Sequence, residues 1–142
     1  MHHQNRDKLV EEWERIIELR APDPASEWVT KLSYDAIEAF LHHLDIASIL
    51  TTTATIETLL RLEDPNIRNF RRLIERSKLN EGDKLRLNSL RAYRNQWVHV
   101  NKPFDDEHLH TNTKNAEEEL SYMAKTGIEV MYTLIYDTPV NV

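Results

Sequence analysis

Five residues of one short stretch have types suited to phosphodiester chemistry: Arg91, Arg94, Asn95, His99 and Lys102. An imidazole titrates near neutral pH and can accept or donate a proton in a transition state. A guanidinium presents a planar fork of donors that fits a phosphate and stabilises charge developing on its oxygens. In RNA the 2′-hydroxyl beside each phosphorus supplies the nucleophile. Asn95 precedes His99 by four residues, so on a helix its amide can orient the imidazole or hold phosphate. Arg91 and Lys102 flank the pair as candidate phosphate contacts.

A helix over residues 85–97 sets the directions of these side chains. At about 100° per residue, with Arg91 at the origin, Asn95 falls near ~40° and His99 near ~80°, while Arg94 falls near ~−60°. Leu90, Tyr93 and Trp97 lie on the opposite side. The wheel therefore predicts that Leu90, Tyr93 and Trp97 are buried and that Arg91, Arg94, Asn95 and His99 turn outward together. Leu87 and Val98 sit beside Arg94, which makes this outward face partly apolar and suits it to a second subunit or a ligand. A structural alternative stands beside this reading: Arg94 forms an ordinary surface ion pair and His99 merely ends a helix.

The run Arg94-Asn95-Gln96-Trp97-Val98-His99 resembles the R-x(4–6)-H signature of the HEPN superfamily, in which the first intervening position is often polar. The loose signature is uninformative, with about 1.6 chance matches in a chain of this composition. The form R-N-x3-H is expected only about 0.04 times. The resemblance extends loosely to the helical layout, in which the motif ends a late helix and one more long helix follows. It implies an all-α, single-domain bundle of five to six helices over residues 1–142. It also implies metal-independent RNA cleavage by a homodimer whose two motifs meet at the subunit interface, with Arg94, Asn95 and His99 as the catalytic set and no cofactor. A toxin or antiviral role, with an antitoxin or regulatory protein as a further partner, is implied in the same way. Catalysis is lost in some members, which serve as scaffolds or nucleotide-binding modules, so the alternative is a non-catalytic bundle binding a partner protein or nucleotide. Some members carry a tyrosine two residues after the histidine, modified by a nucleotidyltransferase antitoxin. Here that position is Asn101, a departure that puts this route of regulation in doubt.

Other chemistry-bearing residues point less far. His108-Leu109-His110 offers two imidazoles in a polar loop with no neighbouring thiol, a weak metal signal. His42-His43 on a helix reads as solvated, and Asp105-Asp106-Glu107 as a solvated loop or helix start. Trp13, Trp28 and Trp97 read as core anchors rather than base-stacking platforms.

The elements that must hold the candidate site are helical almost throughout. Leu9, Val10, Trp13, Ile16 and Ile17 recur at helical spacing in a first helix. Ala21-Pro22-Asp23-Pro24 breaks the chain, with Asp23 predicted to cap the next helix. That helix carries a long apolar stripe from Trp28 to Ala47. Thr51-Thr52-Thr53 is predicted to weaken it, and Ile56, Leu59 and Leu60 resume a shorter helix. Asp64-Pro65 repeats the cap-plus-proline signal ahead of Ile67, Phe70, Leu73 and Ile74. A turn over residues 80–83 leads to a helix over about 83–97, a loop over 100–110 held open by Pro103, and a last helix over about 114–136.

Composition excludes several function classes. The chain has 142 residues, 40% hydrophobic and 30% charged, which is globular rather than disordered. Its two glycines, Gly82 and Gly127, cannot build a Gly-rich phosphate loop, and the absence of cysteine removes thiol nucleophiles and disulfides. No apolar run approaches the ~20 residues of a membrane span, and the charged N-terminus lacks a signal-peptide block, which predicts a soluble cytoplasmic protein. Net charge is −6, yet residues 61–102 hold 11 basic and five acidic residues. That basic middle either presents a positive surface to a polyanion or is neutralised by the acidic remainder of the fold.

Overall fold

The computed structural model describes residues 5–18, 26–107, 109, 113–137 and 140. Six helices account for most of them: α1 (Arg6–Ile17), α2 (Glu27–Leu41), α3 (Asp45–Glu63), α4 (Phe70–Arg76), α5 (Glu81–Val98) and α6 (Thr113–Tyr136). No strand occurs among the described residues, so the all-α bundle expected from the spacing is what forms. α3 runs through the middle and packs against α2, α4, α5 and α6.

Local chemistry explains where the helices begin and end. Asn5, Ser26, Asn69 and Asn80 cap α1, α2, α4 and α5, each side-chain oxygen accepting a backbone N–H of the first turn. The cap expected at Asp23 lies outside the described residues, and α2 starts after Ser26 instead. Asp64 closes α3 rather than opening the next helix, and α4 waits for Asn69.

Two breaks differ from the sequence reading. The stripe from Trp28 to Ala47 is interrupted, because His43 adopts a left-handed conformation (φ 58°). The N–H of Leu44 donates to Ala39 O at 2.9 Å and that of His43 to Phe40 O at 3.1 Å, the paired bonds of a Schellman C-cap. Histidine in a glycine position hides this stop from a pattern search. Conversely, the threonine run does not break α3. Thr51, Thr53, Thr55 and Thr58 each donate a hydroxyl to the carbonyl four residues back, and the helix continues, although the buried Thr52 hydroxyl has no partner among the described residues.

The core holds Trp13, Phe40, Ile49, Ile56, Leu73, Ile74, Leu87, Leu90, Ile128 and Met131. Trp28, expected to be a core anchor, is 76% exposed. It precedes Val29, and it is Val29, Ala36 and Phe40 that face inward from α2. Gly127 sits where α6 crosses α3 and α5: a β-carbon there would lie 3.0 Å from Thr52 Cγ2 and 3.3 Å from Leu90 Cδ2. No helix among the described residues is long and apolar enough to cross a membrane.

Candidate functional site

α5 positions most of the candidate residues. Asn80 and the acidic Glu81 and Asp83 stabilise its N-terminus, the last two through the helix dipole. Arg86 ties its first turns to α6 by pairing with Asp83 at 3.3 Å and Glu129 at 2.5 Å. Leu87 and Leu90 then enter the core with no exposed surface. Arg91, Arg94 and Asn95 occupy the last two turns, each partly buried, and Val98 ends the helix. His99 is its C-cap, with its N–H donating to Asn95 O at 2.8 Å and its side chain exposed. Lys102 is exposed in the following loop, where its carbonyl accepts from Asp105 N.

This placement corrects the wheel. Leu87 was expected on the outward face beside Arg94 and is instead fully buried. The buried stripe of α5 is Asp83, Leu87 and Leu90, and Arg94 continues it, four residues after Leu90. Tyr93 and Trp97 flank that stripe and are only partly buried. Arg94 therefore leans toward the bundle, with its guanidinium carbon 5.9 Å from the centroid of the Phe70 ring at the start of α4. Arg94 and His99 do not share one outward face: His99 is in solvent, Arg94 at the seam between α5 and α4.

The second half of α5 is unusual in its polar groups. Nε of Arg91, Nε of Arg94 and Oδ1 of Asn88 are shielded from solvent without a hydrogen-bond partner among the described residues. Such groups are rare in folded proteins and costly, typically about 1–3 kcal/mol each. Tyr93 and Trp97 meet edge to face with centroids 6.3 Å apart. Burial pushes the Tyr93 phenol above its usual value against the lowering effect of the Trp97 indole N–H beside it, and the carboxylates of Glu119 and Asp45 add to the rise.

Charge pairing covers six of the eleven basic residues in the segment, and Arg68 and Arg72 share with Arg91, Arg94 and Lys102 the lack of a carboxylate partner among the described residues. Arg61, Arg71, Arg76, Lys78, Lys84 and Arg86 each lie within 4.0 Å of a carboxylate, so much of the basic middle is neutralised within the fold. Among the described residues neither Arg91 nor Arg94 has such a partner, and the ion pair considered for Arg94 is absent there. Beyond them Val98 is 47% exposed, Val100 56% and Phe104 86%, which leaves an apolar surface beside His99.

The remaining candidates contribute less. His42 and His43 are exposed, with His42 Nε2 3.6 Å from Glu38 Oε2. Asp105, Asp106 and Glu107 are exposed, while His108 and His110 lie outside the described residues. One participant had no local signal in the sequence: Phe70, which reads as an ordinary core position. No protein-family model matches the chain, and no curated protein or solved structure matches it.

Proposed function

We propose that the chain is a metal-independent endoribonuclease of HEPN type, acting as a homodimer in the cytoplasm as a toxin or antiviral component under a regulatory protein or antitoxin. The observation that carries the reading is a cationic pair, Arg91 and Arg94, partly buried and without carboxylate partners among the described residues, one to two turns before an exposed histidine. A phosphodiester supplies a counter-charge for the two guanidinium groups, which no carboxylate of the described residues provides.

The chemistry follows from the residue types. His99 takes the proton of an RNA 2′-hydroxyl, whose oxygen attacks the adjacent phosphorus. The bond from phosphorus to the 5′-oxygen breaks, and that oxygen receives a proton, leaving a 2′,3′-cyclic phosphate and a 5′-hydroxyl. Arg94 stabilises the charge that develops on the phosphoryl oxygens. Asn95 orients His99 or holds phosphate, and Arg91 and Lys102 hold neighbouring phosphates. Because His99 is exposed and Arg94 leans inward, the pair that cleaves one RNA is most simply completed across a dimer, with Val98, Val100 and Phe104 in the contact.

A second reading draws on the same inward lean. A half-buried Arg94 over Phe70 suits a non-catalytic bundle of this type that binds a partner protein or nucleotide. Purified protein incubated with RNA and a chelator separates the two. Under the first reading cleavage proceeds with chelator present, and Arg94→Ala and His99→Ala each lower it about 10²- to 10⁴-fold. The double variant is little worse than either single, since groups acting as a unit are not additive. Cleavage untouched by either substitution, or stopped by chelator, would falsify the assignment, and a monomer at high micromolar concentration removes the composite site.

A further inference from the structure

We propose that Phe70 is the positioning residue for Arg94, so that α4 enters the site through a single aromatic ring. The inference rests on Arg94 acting as the charge-stabilising group.

The argument begins with how a working cation can be held. A carboxylate anchor fixes a guanidinium but neutralises it and consumes the in-plane N–H donors that a phosphate needs. An aromatic face attracts the cation through its quadrupole without neutralising it and without taking its in-plane N–H donors, so both charge and those donors stay available. Both arrangements occur in this chain. Arg86 is held by Asp83 and Glu129. Arg94 lies over Phe70, and no carboxylate among the described residues lies within 4.0 Å of it.

The ring is itself well placed to impose a position. Phe70 is the first residue of α4 and is 8% exposed. Asn69 caps that helix by accepting the N–H of Arg72 at 3.1 Å, and Leu73 and Ile74, one turn on, are core residues. From the other side, Leu90 locks α5 one turn before Arg94. At the far end of the seam, Lys84 Nζ donates to Glu75 O at 2.9 Å and fixes the register of α4 against α5. A short helix with few other duties thus carries one ring to one arginine.

The test is steady-state cleavage of an RNA oligonucleotide with chelator present. Phe70→Leu is expected to lower kcat about tenfold with KM changed less than about twofold, and Phe70→Tyr, which keeps the ring, to recover most of the loss. A purely structural role would instead lower thermal stability and reduce the amount of active protein, leaving the kcat of the folded fraction unchanged. Stepwise fluorination of Phe70 keeps its shape and withdraws charge from its face, so it reads the same effect in a variant that folds. The expected result is a kcat that falls with each added fluorine. A flat fluorination series, with Arg94→Ala still inactive, overturns the role of Phe70 alone. An Arg94→Ala variant as active as wild type overturns both this inference and the reading beneath it.

Discussion

Two arginines in this bundle lie over phenylalanine rings, and they differ in everything else. Arg6, at the start of α1, is 6% exposed, with its guanidinium carbon 4.5 Å from the Phe40 centroid. Its donors reach Phe40 O at 2.9 Å, both oxygens of Asp45, and Ser121 Oγ at 3.2 Å. One side chain thereby joins α1 to the ends of α2 and α3 and to α6. Arg94 has a ring at 5.9 Å, a shielded Nε without an acceptor and no carboxylate within salt-bridge distance among the described residues. A cation whose donors are all used is a tie. One whose donors are spare is available to a ligand, and the fold holds it at some cost. The same contrast extends to the surroundings. Phe40, Trp13 and Tyr132 pack as tilted rings in series beside Arg6, whereas among the described residues Nε of Arg91 and of Arg94 in the motif helix have no acceptor.

The comparison breaks most visibly at Asp45. Removing it leaves Arg6 buried with an uncompensated charge, and such losses typically cost about 3 kcal/mol or more. Asp45→Ala should therefore shift the urea midpoint strongly at unchanged cooperativity. A loss below about 1 kcal/mol would mean that Phe40 O and Ser121 suffice and that Arg6 is not the tie described.

At Gly127, where α6 crosses α3 and α5, two effects oppose each other. Alanine in a helix interior gains about 1 kcal/mol over glycine. A β-carbon at 3.0 Å from Thr52 and 3.3 Å from Leu90 overpacks the site, at about 1–3 kcal/mol. The expected net effect of Gly127→Ala is a loss of about 1 kcal/mol. In a Thr52→Ala background the nearest obstacle is gone, and the same substitution should become stabilising. An unchanged sign in that background would show that the crossing is not the tight point.

Arg94→Met should change stability by no more than about 0.5 kcal/mol in either direction, because the long apolar stem keeps its packing and a partly buried unpaired Nε disappears. Thermal unfolding checks this. A large loss would place Arg94 in the same class as Arg6, which favours the non-catalytic reading.

Much of the scaffold was legible in the sequence, and the misses share a cause. α5 and α6 follow from helical spacing bounded by Asn80 and by the loop after Val98, features that act within a few residues. The His43 stop, the continuity of α3 through its threonines and the exposure of Trp28 depend on which of several locally allowed options the packing selects. The wheel failed at Arg94 for a related reason. Leu90, Tyr93 and Trp97 carry the bulk of the apolar surface, yet Leu87 and Leu90 contact the core, and the burial direction follows contact rather than bulk. The candidate residues could be named from their types, while the ring beneath Arg94 belongs to another helix and leaves no trace at positions 91–102.

The last prediction separates the two regions by alkaline titration. Burial pushes the Tyr132 phenol far above its usual value, with Glu14 and Tyr136 pushing the same way. Tyr93, at the open end, is raised less. In the unfolded chain both titrate near pH ~10. Below that pH the folded and unfolded states hold the same phenolic protons, so neither tyrosine contributes a pH dependence. Above it the unfolded chain releases protons that the folded chain keeps, and stability falls as pH rises. Urea midpoints measured at pH 8 and pH 11 should therefore drop in the wild type. Tyr132→Phe should remove the larger share of the drop and Tyr93→Phe the smaller. If Tyr93→Phe flattened the profile more than Tyr132→Phe, the end carrying Arg94 would be the better sealed of the two, and its unpaired donors would no longer mark an open site.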